Sequence, residues 1–582
     1  MHQVVDTMSD GATNTNSDLS HRDVSGVQEQ PIMASAQSYV RREKLAHLGL
    51  IVSVVMAFGA ISGQLLLLGL SSQPTISLAA AEPIATSFSR PDIVDRNGRL
   101  LATDLEAPSL FADPAIVLDR DELVEKLSTV LPDINQADLR AQLSDKNRRF
   151  VWIRRGVSPA IAQKVHNLGL PGLSFRTELH RAYPAGELAG HVLGSVNVDN
   201  KGISGIEKFI DSAGAADPVH SATLSTRTPV RLSLDIGVQH ALENELENGQ
   251  RRYRASGAAG VVLDIKTGEV LASASFPSVD PARPEMATSP VRHDRIAGGT
   301  YELGSVFKTL TIAMALDEGI AKPSTMLDVR EPLQAGAHTI TDFHSAGRPL
   351  SVTEIFTHSS NVGTGMLALQ AGPERMKAFL GKLELLTPMK TEAGAMSAPQ
   401  LPRAWERAEL ITMSYGHGLA VAPLQFAASV ATLFNGGIRV NPTMLRTSAA
   451  PNSDSAKPAQ RVIAETTSRQ MARLFRLNVT DTSGTGKRAD VPGYRVGGKT
   501  GTADLAARGG YQEKAVISSF LAAFPMDNPR YLTFVLLFEP QGTQETGGQR
   551  TASTNAAPVT ADLIARIAPQ LGVTPQTIAA TQ

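Results

Sequence analysis

The 582-residue chain has no cysteine, which removes disulfides, thiolate chemistry and cysteine-ligated zinc from consideration. It has almost no net charge: 55 Lys and Arg against 56 Asp and Glu leave −1, so nothing global draws it to nucleic acid. No cluster of His, Asp and Glu shows recognisable metal-ligand spacing, and no phosphate loop is present. What remains is a chain too long for one ordinary domain and long enough to bury a large core.

One uncharged apolar run stands out. Leu48 to Leu70 is 23 residues whose only polar members are Ser53, Ser62 and Gln64. At about 1.5 Å per residue it extends roughly 34 Å, enough to cross a hydrocarbon core with some tilt. Arg41, Arg42 and Lys44 precede it and the next basic residue is Arg90, so the positive-inside rule predicts a cytoplasmic N-terminus and an exported remainder. Ala79-Ala80-Ala81 resembles a signal-cleavage site. The apolar run is longer than a signal h-region, however, and follows a long polar leader, which favours an uncleaved anchor.

The chain is thus expected to divide as follows. Residues 1–44 form a disordered cytoplasmic tail, rich in Ser, Asp, Gln and Thr, before a transmembrane helix at 45–70 and a linker at 71–84. Residues 85–227 form a first exported domain, with a turn at Asp95-Arg96-Asn97-Gly98 and an amphipathic helix near Asp121 to Leu131. A boundary falls near Ser225 to Pro229, where VRLSLD begins a strand pattern, and 228–572 form a larger domain ahead of a tail at 573–582. In that domain Gln239 to Gly249 reads as a helix, GVVLDI and EVLASAS as strands, Val516 to Phe524 and Tyr531 to Phe538 as strands joined by the turn PMDNPR, and Val559 to Leu571 as a closing helix. Ala449 to Gln460 reads as a Pro/Ser/Ala-rich surface loop. The fold class is mixed α+β, a mainly antiparallel sheet covered by helices.

Chemistry concentrates in three short segments. Ser305-Val306-Phe307-Lys308 is an S-x-x-K opening an apolar helix that stops at Gly319. A lysine three residues on shares a helix face with the serine, and a helix N-terminus favours developing negative charge. Ser359-Ser360-Asn361 follows as S-x-N, and Lys499-Thr500-Gly501 as K-T-G inside GGKTGTA. Each is weak alone, but their order is the signature of serine acyl-transfer in penicillin-binding proteins and serine β-lactamases. A second K-T-G, Lys266-Thr267-Gly268, lies before the serine between two strand patterns and reads as a hairpin turn; Asp264 and Glu269 beside it read as solvated. Ser359 and Asn361 have a plainer reading as helix caps, and His417, between two glycines, reads as structural.

These motifs resemble those of the class B penicillin-binding proteins, within them the division-specific D,D-transpeptidases. YELGSVFK at 301–308 is similar to that group's YEPGSTFK, and HSSN at 358–361 and KTGTA at 499–503 match closely. RPDIVDRNGRLLA at 90–102, RAYPAG at 181–186 and GISGIE at 202–207 resemble the three motifs of its elongated pedestal domain, with Arg90 and Glu207 a possible pair. SYGHGLAVAPLQ at 414–425 and TASTNAAP at 551–558 extend the likeness. Two positions depart: Pro91 stands where Gly is usual, and Leu303 where Pro is usual before the Gly-Ser.

The resemblance implies a penicillin-sensitive serine D,D-transpeptidase without a cofactor or metal, anchored in a bacterial inner membrane with its catalytic domain periplasmic. Its substrates would be peptidoglycan stem peptides ending in D-Ala-D-Ala, its inhibitors β-lactams, and its partners an FtsW-type glycosyltransferase and other divisome proteins. Ser305 would be the nucleophile, neutral Lys308 its base, Ser359 a proton relay to the leaving amine, and Asn361 a partner of Lys308 and of the substrate amide. Lys499 and Thr500 would hold the donor's terminal carboxylate, Gly501 and Thr502 would complete the substrate-binding strand, and the backbone N–H groups of Ser305 and Thr502 would form the oxyanion hole. An elongation-specific relative, a β-lactamase and a non-enzymatic β-lactam sensor are the alternatives. A class A enzyme is disfavoured, because the region before residue 227 shows no glycosyltransferase motif.

Overall fold

The computed structural model describes residues 48, 50–64, 89–213, 228–447, 460–507 and 510–576. Leu48 and residues 50–64 of the apolar run are helical. The rest of that run, the leader, the 71–84 linker, most of the Ala449–Gln460 loop and most of the 573–582 tail lie outside the described residues, as does part of the Ser225–Pro229 boundary. Among the described residues no helix is long and apolar enough to cross a membrane.

The region at 89–213 is a sheet backed by short helices. The long strand Leu100–Ala112 is its spine, pairing antiparallel with Leu173–Ala182, with Val151–Arg154 and, at its start, with Ile93–Val94. The helix Arg120–Val130 begins where the Asp119 side chain accepts from Asp121 N and Glu122 N, satisfying two of the unpaired donors of its first turn. It buries Leu123, Val124 and Leu127 against Leu110, Val151 and Val165. The Arg90–Glu207 pair forms at 2.9 Å, and Arg181 approaches the same carboxylate at 2.6 Å. Val230–Arg231, the start of the predicted VRLSLD strand, pairs in parallel with Ile93–Val94, so the opening of the larger domain extends the sheet of the first.

The larger domain is a three-layer sandwich of helix, sheet and helix. Its strands are β1 (Gly257–Asp264), β2 (Val270–Phe276), β3 (Gly497–Ala507), β4 (Gly510–Phe524) and β5 (Tyr531–Phe538), in the order β3-β4-β5-β1-β2 with every neighbour antiparallel. All residues of β1 and β5 are buried, as expected of central strands covered on both faces. Alternation then sorts their side chains. Val262, Val535 and Leu537 meet Leu242 and Leu246 of helix α1 (Ile236–Arg252) and Leu563 and Ile567 of the closing helix (Ala556–Gln570). Val261, Phe534 and Leu536 meet Leu310 and Phe426 on the opposite face.

Asp264 and Glu269 are not solvated. They are 1 % and 3 % exposed. Asp264 accepts from Lys266 N and pairs with Arg530 at 2.9 Å, while Glu269 pairs with Arg96 at 3.1 Å and accepts from Thr447 N. The turn between β1 and β2 is covered by segments distant in sequence, which bring the two arginines that make burial of these carboxylates tolerable.

Candidate active site

The Ser305 segment differs from a plain helix start. Gly304–Phe307 is a 3₁₀ turn that runs directly into helix α2 (Lys308–Asp317). At three residues per turn, positions i and i+3 eclipse, so Ser305 and Lys308 stack more directly than an α-helix would allow. Gly304 explains the tight start. It has φ +59°, its N–H donates to Gly416 O at 3.2 Å, and a Cβ there would stand 2.5 Å from Thr502 O. Only glycine fits both the left-handed backbone and the close approach. Lys308 is fully buried and Ser305 half-buried.

The S-x-N segment divides its tasks. A capping box of Ser351 and Glu354 starts the helix Val352–Thr357, after which Ser359 turns the chain at φ +59°. Ser360, rather than Ser359 or Asn361, caps helix α3 (Asn361–Lys382), accepting from Gly363 N at 2.9 Å. The capping role of the motif thus falls to its middle residue, and the outer two are left for the cleft.

Asp342 clamps this turn and was not anticipated. Its carboxylate accepts from Ser360 Oγ (2.6 Å), Asn361 N (2.5 Å) and Val362 N (3.0 Å), and neighbouring Thr341 O accepts from Asn361 Nδ2 at 3.1 Å. An acidic side chain suits a helix N-terminus. It arrives from a separate loop, so no local spacing announces it.

Lys499 lies on β3, the edge strand, and is fully buried. Its Nζ donates to Ser359 Oγ at 3.0 Å, with Thr500 O at 3.3 Å and Thr500 Oγ1 at 3.5 Å. Lys308 Nζ donates to the same Ser359 Oγ at 3.1 Å, to Asn361 Oδ1 at 2.7 Å and to Ser359 O. Burial lowers the Lys308 ammonium to about 7, against a smaller opposing pull from Asp342. Burial, with the nearby Lys308 charge adding to it, pushes Lys499 well below the ordinary lysine range.

The strand is pressed against the serine turn. A Cβ on Gly501 would stand 2.6 Å from Leu303 O, and one on Gly498 would stand 2.5 Å from the Phe520 ring. Leu303 itself is buried, so the departure from proline keeps the backbone contact with Gly501. Thr500 Oγ1 donates to Thr485 Oγ1 at 2.8 Å, Asn478 Nδ2 to Gly498 O at 2.8 Å, and Ala552 N to Thr502 Oγ1 at 3.2 Å. The late TASTNAAP segment therefore braces the K-T-G strand from the side. His417 Nδ1 lies 3.3 Å from Glu302 Oε2, and Glu302 Oε1 accepts from Gly418 N at 2.9 Å, tying the glycine loop to the segment before the serine. The structure thus brings Lys308, Ser359, Asn361, Lys499 and Thr500 together beside the Ser305 turn. Lys266-Thr267-Gly268 sits in the β1–β2 turn, towards the opposite edge of the sheet. Among the described residues no group of three or more His, Asp or Glu side chains is placed to hold a metal ion.

Comparison with known families decides the assignment. The model of the penicillin-binding protein transpeptidase domain matches residues 258–565, and that of the penicillin-binding protein dimerisation domain matches 86–213. The chain belongs to the class B penicillin-binding proteins. This class B protein is 39% identical over 493 residues to the probable peptidoglycan D,D-transpeptidase FtsI of Caulobacter vibrioides, covering 83% of this chain and 82% of that one. It is 30% identical over 493 residues to the peptidoglycan D,D-transpeptidase FtsI of Escherichia coli K12, covering 80% and 82%. Among solved structures, penicillin-binding protein 3 of Mycobacterium tuberculosis complexed with ampicillin superposes with a TM-score of 0.65 at 26% identity, covering 85% of this chain and 98% of that one.

Proposed function

We infer that this class B protein is a peptidoglycan D,D-transpeptidase that cross-links stem peptides through an ester on Ser305. The observation that carries the reading is Ser359 Oγ, held at 3.1 Å by the lysine of S-x-x-K and at 3.0 Å by the lysine of K-T-G. Three motifs scattered over the sequence thereby meet at one hydroxyl.

A serine hydroxyl needs an adjacent base to become nucleophilic. Lys308, one 3₁₀ turn away and with its acidity raised by burial, supplies it. β3 has a strand neighbour on one side only, so an extended donor peptide adds to its outer edge as a further strand. Lys499 and Thr500 then grip its terminal carboxylate by charge-assisted hydrogen bonds, while Gly501 lets β3 lie close to the serine turn. The Thr502 carbonyl faces Gly304, and in an extended strand the N–H of a residue points to the same side as its C=O. The N–H groups of Thr502 and Ser305 are therefore available for the oxyanion of the tetrahedral intermediate, where one donor is typically worth about 10²–10³ in rate. Asn361 steadies Lys308 and the substrate amide, and Ser359 delivers a proton to the departing D-alanine. The amine of a neighbouring stem then resolves the ester. A β-lactam mimics the donor and stays on Ser305.

Ser305→Ala should abolish labelling by a fluorescent penicillin while the protein remains folded. Labelling that persists would sink the nucleophile assignment. The apolar run at 48–70 supports a single membrane anchor with the catalytic domain outside, where an FtsW-type glycosyltransferase would be the natural partner. The FtsI relatives favour a role at the division septum. Depletion tests this: filaments are expected, and round cells would assign it to elongation.

A further inference from the structure

The transpeptidase reading needs an uncharged Lys308 to take the Ser305 proton and a charged Lys499 to hold a carboxylate. The resting geometry favours the reverse. Lys308 Nζ sits among three acceptors, Ser359 O, Ser359 Oγ at 3.1 Å and Asn361 Oδ1 at 2.7 Å, and Asn361 is itself anchored to the Asp342 carboxylate. Three acceptors match the three donors of an ammonium. Lys499 Nζ has one close acceptor, Ser359 Oγ at 3.0 Å, with longer contacts of 3.3 and 3.5 Å to Thr500. No ion pair of Lys499 occurs among the described residues. Two buried ammonium groups sharing one hydroxyl oxygen repel each other strongly, because little water screens them. Below about pH 7 the resting cluster therefore carries its one charge on Lys308.

We propose that an arriving donor carboxylate moves this charge, a proton passing from Lys308 Nζ to Ser359 Oγ while the Ser359 hydroxyl proton passes to Lys499 Nζ. One N–H bond breaks at Lys308 and an O–H bond forms at Ser359; the original O–H bond breaks and an N–H bond forms at Lys499. No proton enters or leaves the cluster. The base is armed only when a carboxylate occupies the edge at Lys499 and Thr500, so ligands lacking that group are refused at the chemical step as well as in binding. This rests on the transpeptidase reading and gives Ser359 a task before acylation, distinct from its service to the leaving group. It is a positioning of charge that S-x-N supplies by standing between the two lysines.

Asp342 faces this pair from the loop that clamps α3, and His358 adjoins Ser359 in the chain, with Asp481 and Glu354 beyond it. Their titration affects every ligand alike, so the test compares two ligands on the same protein. The full chain in detergent is treated with benzylpenicillin or with its methyl ester, and the acyl-Ser305 adduct is followed by mass spectrometry from about pH 5.5 to about pH 8.5. The ester must wait for Lys308 to lose its proton spontaneously, so its acylation rate should fall about tenfold per pH unit below about 7. Benzylpenicillin arms the base itself, and its rate should stay nearly flat over the same range. Parallel profiles would overturn the proposal. Ser359→Ala should give benzylpenicillin the slope of the ester, and a flat profile in that variant would exclude a relay through Ser359. Failure of both ligands to modify Ser305 would sink the transpeptidase reading instead.

Discussion

Lys266-Thr267-Gly268 and Lys499-Thr500-Gly501 spell the same tripeptide towards opposite edges of one sheet. The first occupies a turn. Lys266 stands exposed, Gly268 adopts φ +76°, and the flanking carboxylates are spent on Arg530 and Arg96. The second lies in an extended edge strand where Lys499 is fully buried against a partner hydroxyl and a second lysine. Residue identity is constant between the two, so the difference in chemistry comes from desolvation, from backbone shape and from what the tertiary fold places opposite. An exposed amine has water as its partner. A buried one is at the mercy of its neighbours.

Substitutions made in pairs sharpen this contrast. The largest expected effect is Lys499→Ala, which should lower the rate of acylation by benzylpenicillin about 10²–10³-fold. Lys266→Ala should leave it within about twofold, since changes at exposed positions away from such features are usually small. A comparable loss at Lys266 would erase the distinction. Next come the glycines. A Cβ on Gly501 would stand 2.6 Å from Leu303 O, so Gly501→Ala should push β3 off the serine turn and slow acylation about 10–100-fold. A Cβ on Gly268 would stand 2.1 Å from Asn441 O at φ +76°, so Gly268→Ala should cost about 1–3 kcal/mol in thermal unfolding and spare the acylation rate of the folded protein.

Asp342→Asn is expected to reduce acylation about tenfold by loosening the S-x-N turn. Its sign on pH is separate: Asp342 raises Lys308, so removing its charge lowers that lysine below about 7 and shifts the acid limb of the methyl-ester profile to lower pH. A limb that moves upward would show that Asp342 does not act through Lys308. Smallest for catalysis is Glu269→Gln at the inactive copy. It should cost about 2–3 kcal/mol of stability by weakening a buried ion pair, with acylation unchanged.

Much of this was legible in the sequence because the signals were local. Continuous buried runs give β1 and β5, and the predicted strands and helices of the larger domain fall within a few residues of those observed. The three motifs pointed to residues that the fold brings together, because their order carried information that none held alone. What escaped was set by distant segments. Asp342 lies 19 residues before the backbone it clamps at Asn361. Asp264 and Glu269 looked hydrated because Arg530 and Arg96 arrive from far along the chain. Ser305 was expected on an α-helix because apolar periodicity cannot distinguish a 3₁₀ opening, which here depends on Gly304 being pinned by Gly416 and Thr502.

The turn at Asp95 to Gly98 has a mechanical side. Arg96 N donates to Leu234 O, Asn97 Nδ2 to Asp235 Oδ2, and the Arg96 guanidinium holds Glu269 at the end of the β1–β2 hairpin. Lys499 rides at the far margin of the same sheet, four strand spacings or about 19 Å away. A pull on residues 89–213 is therefore applied at the margin of the sheet opposite the strand that carries Lys499.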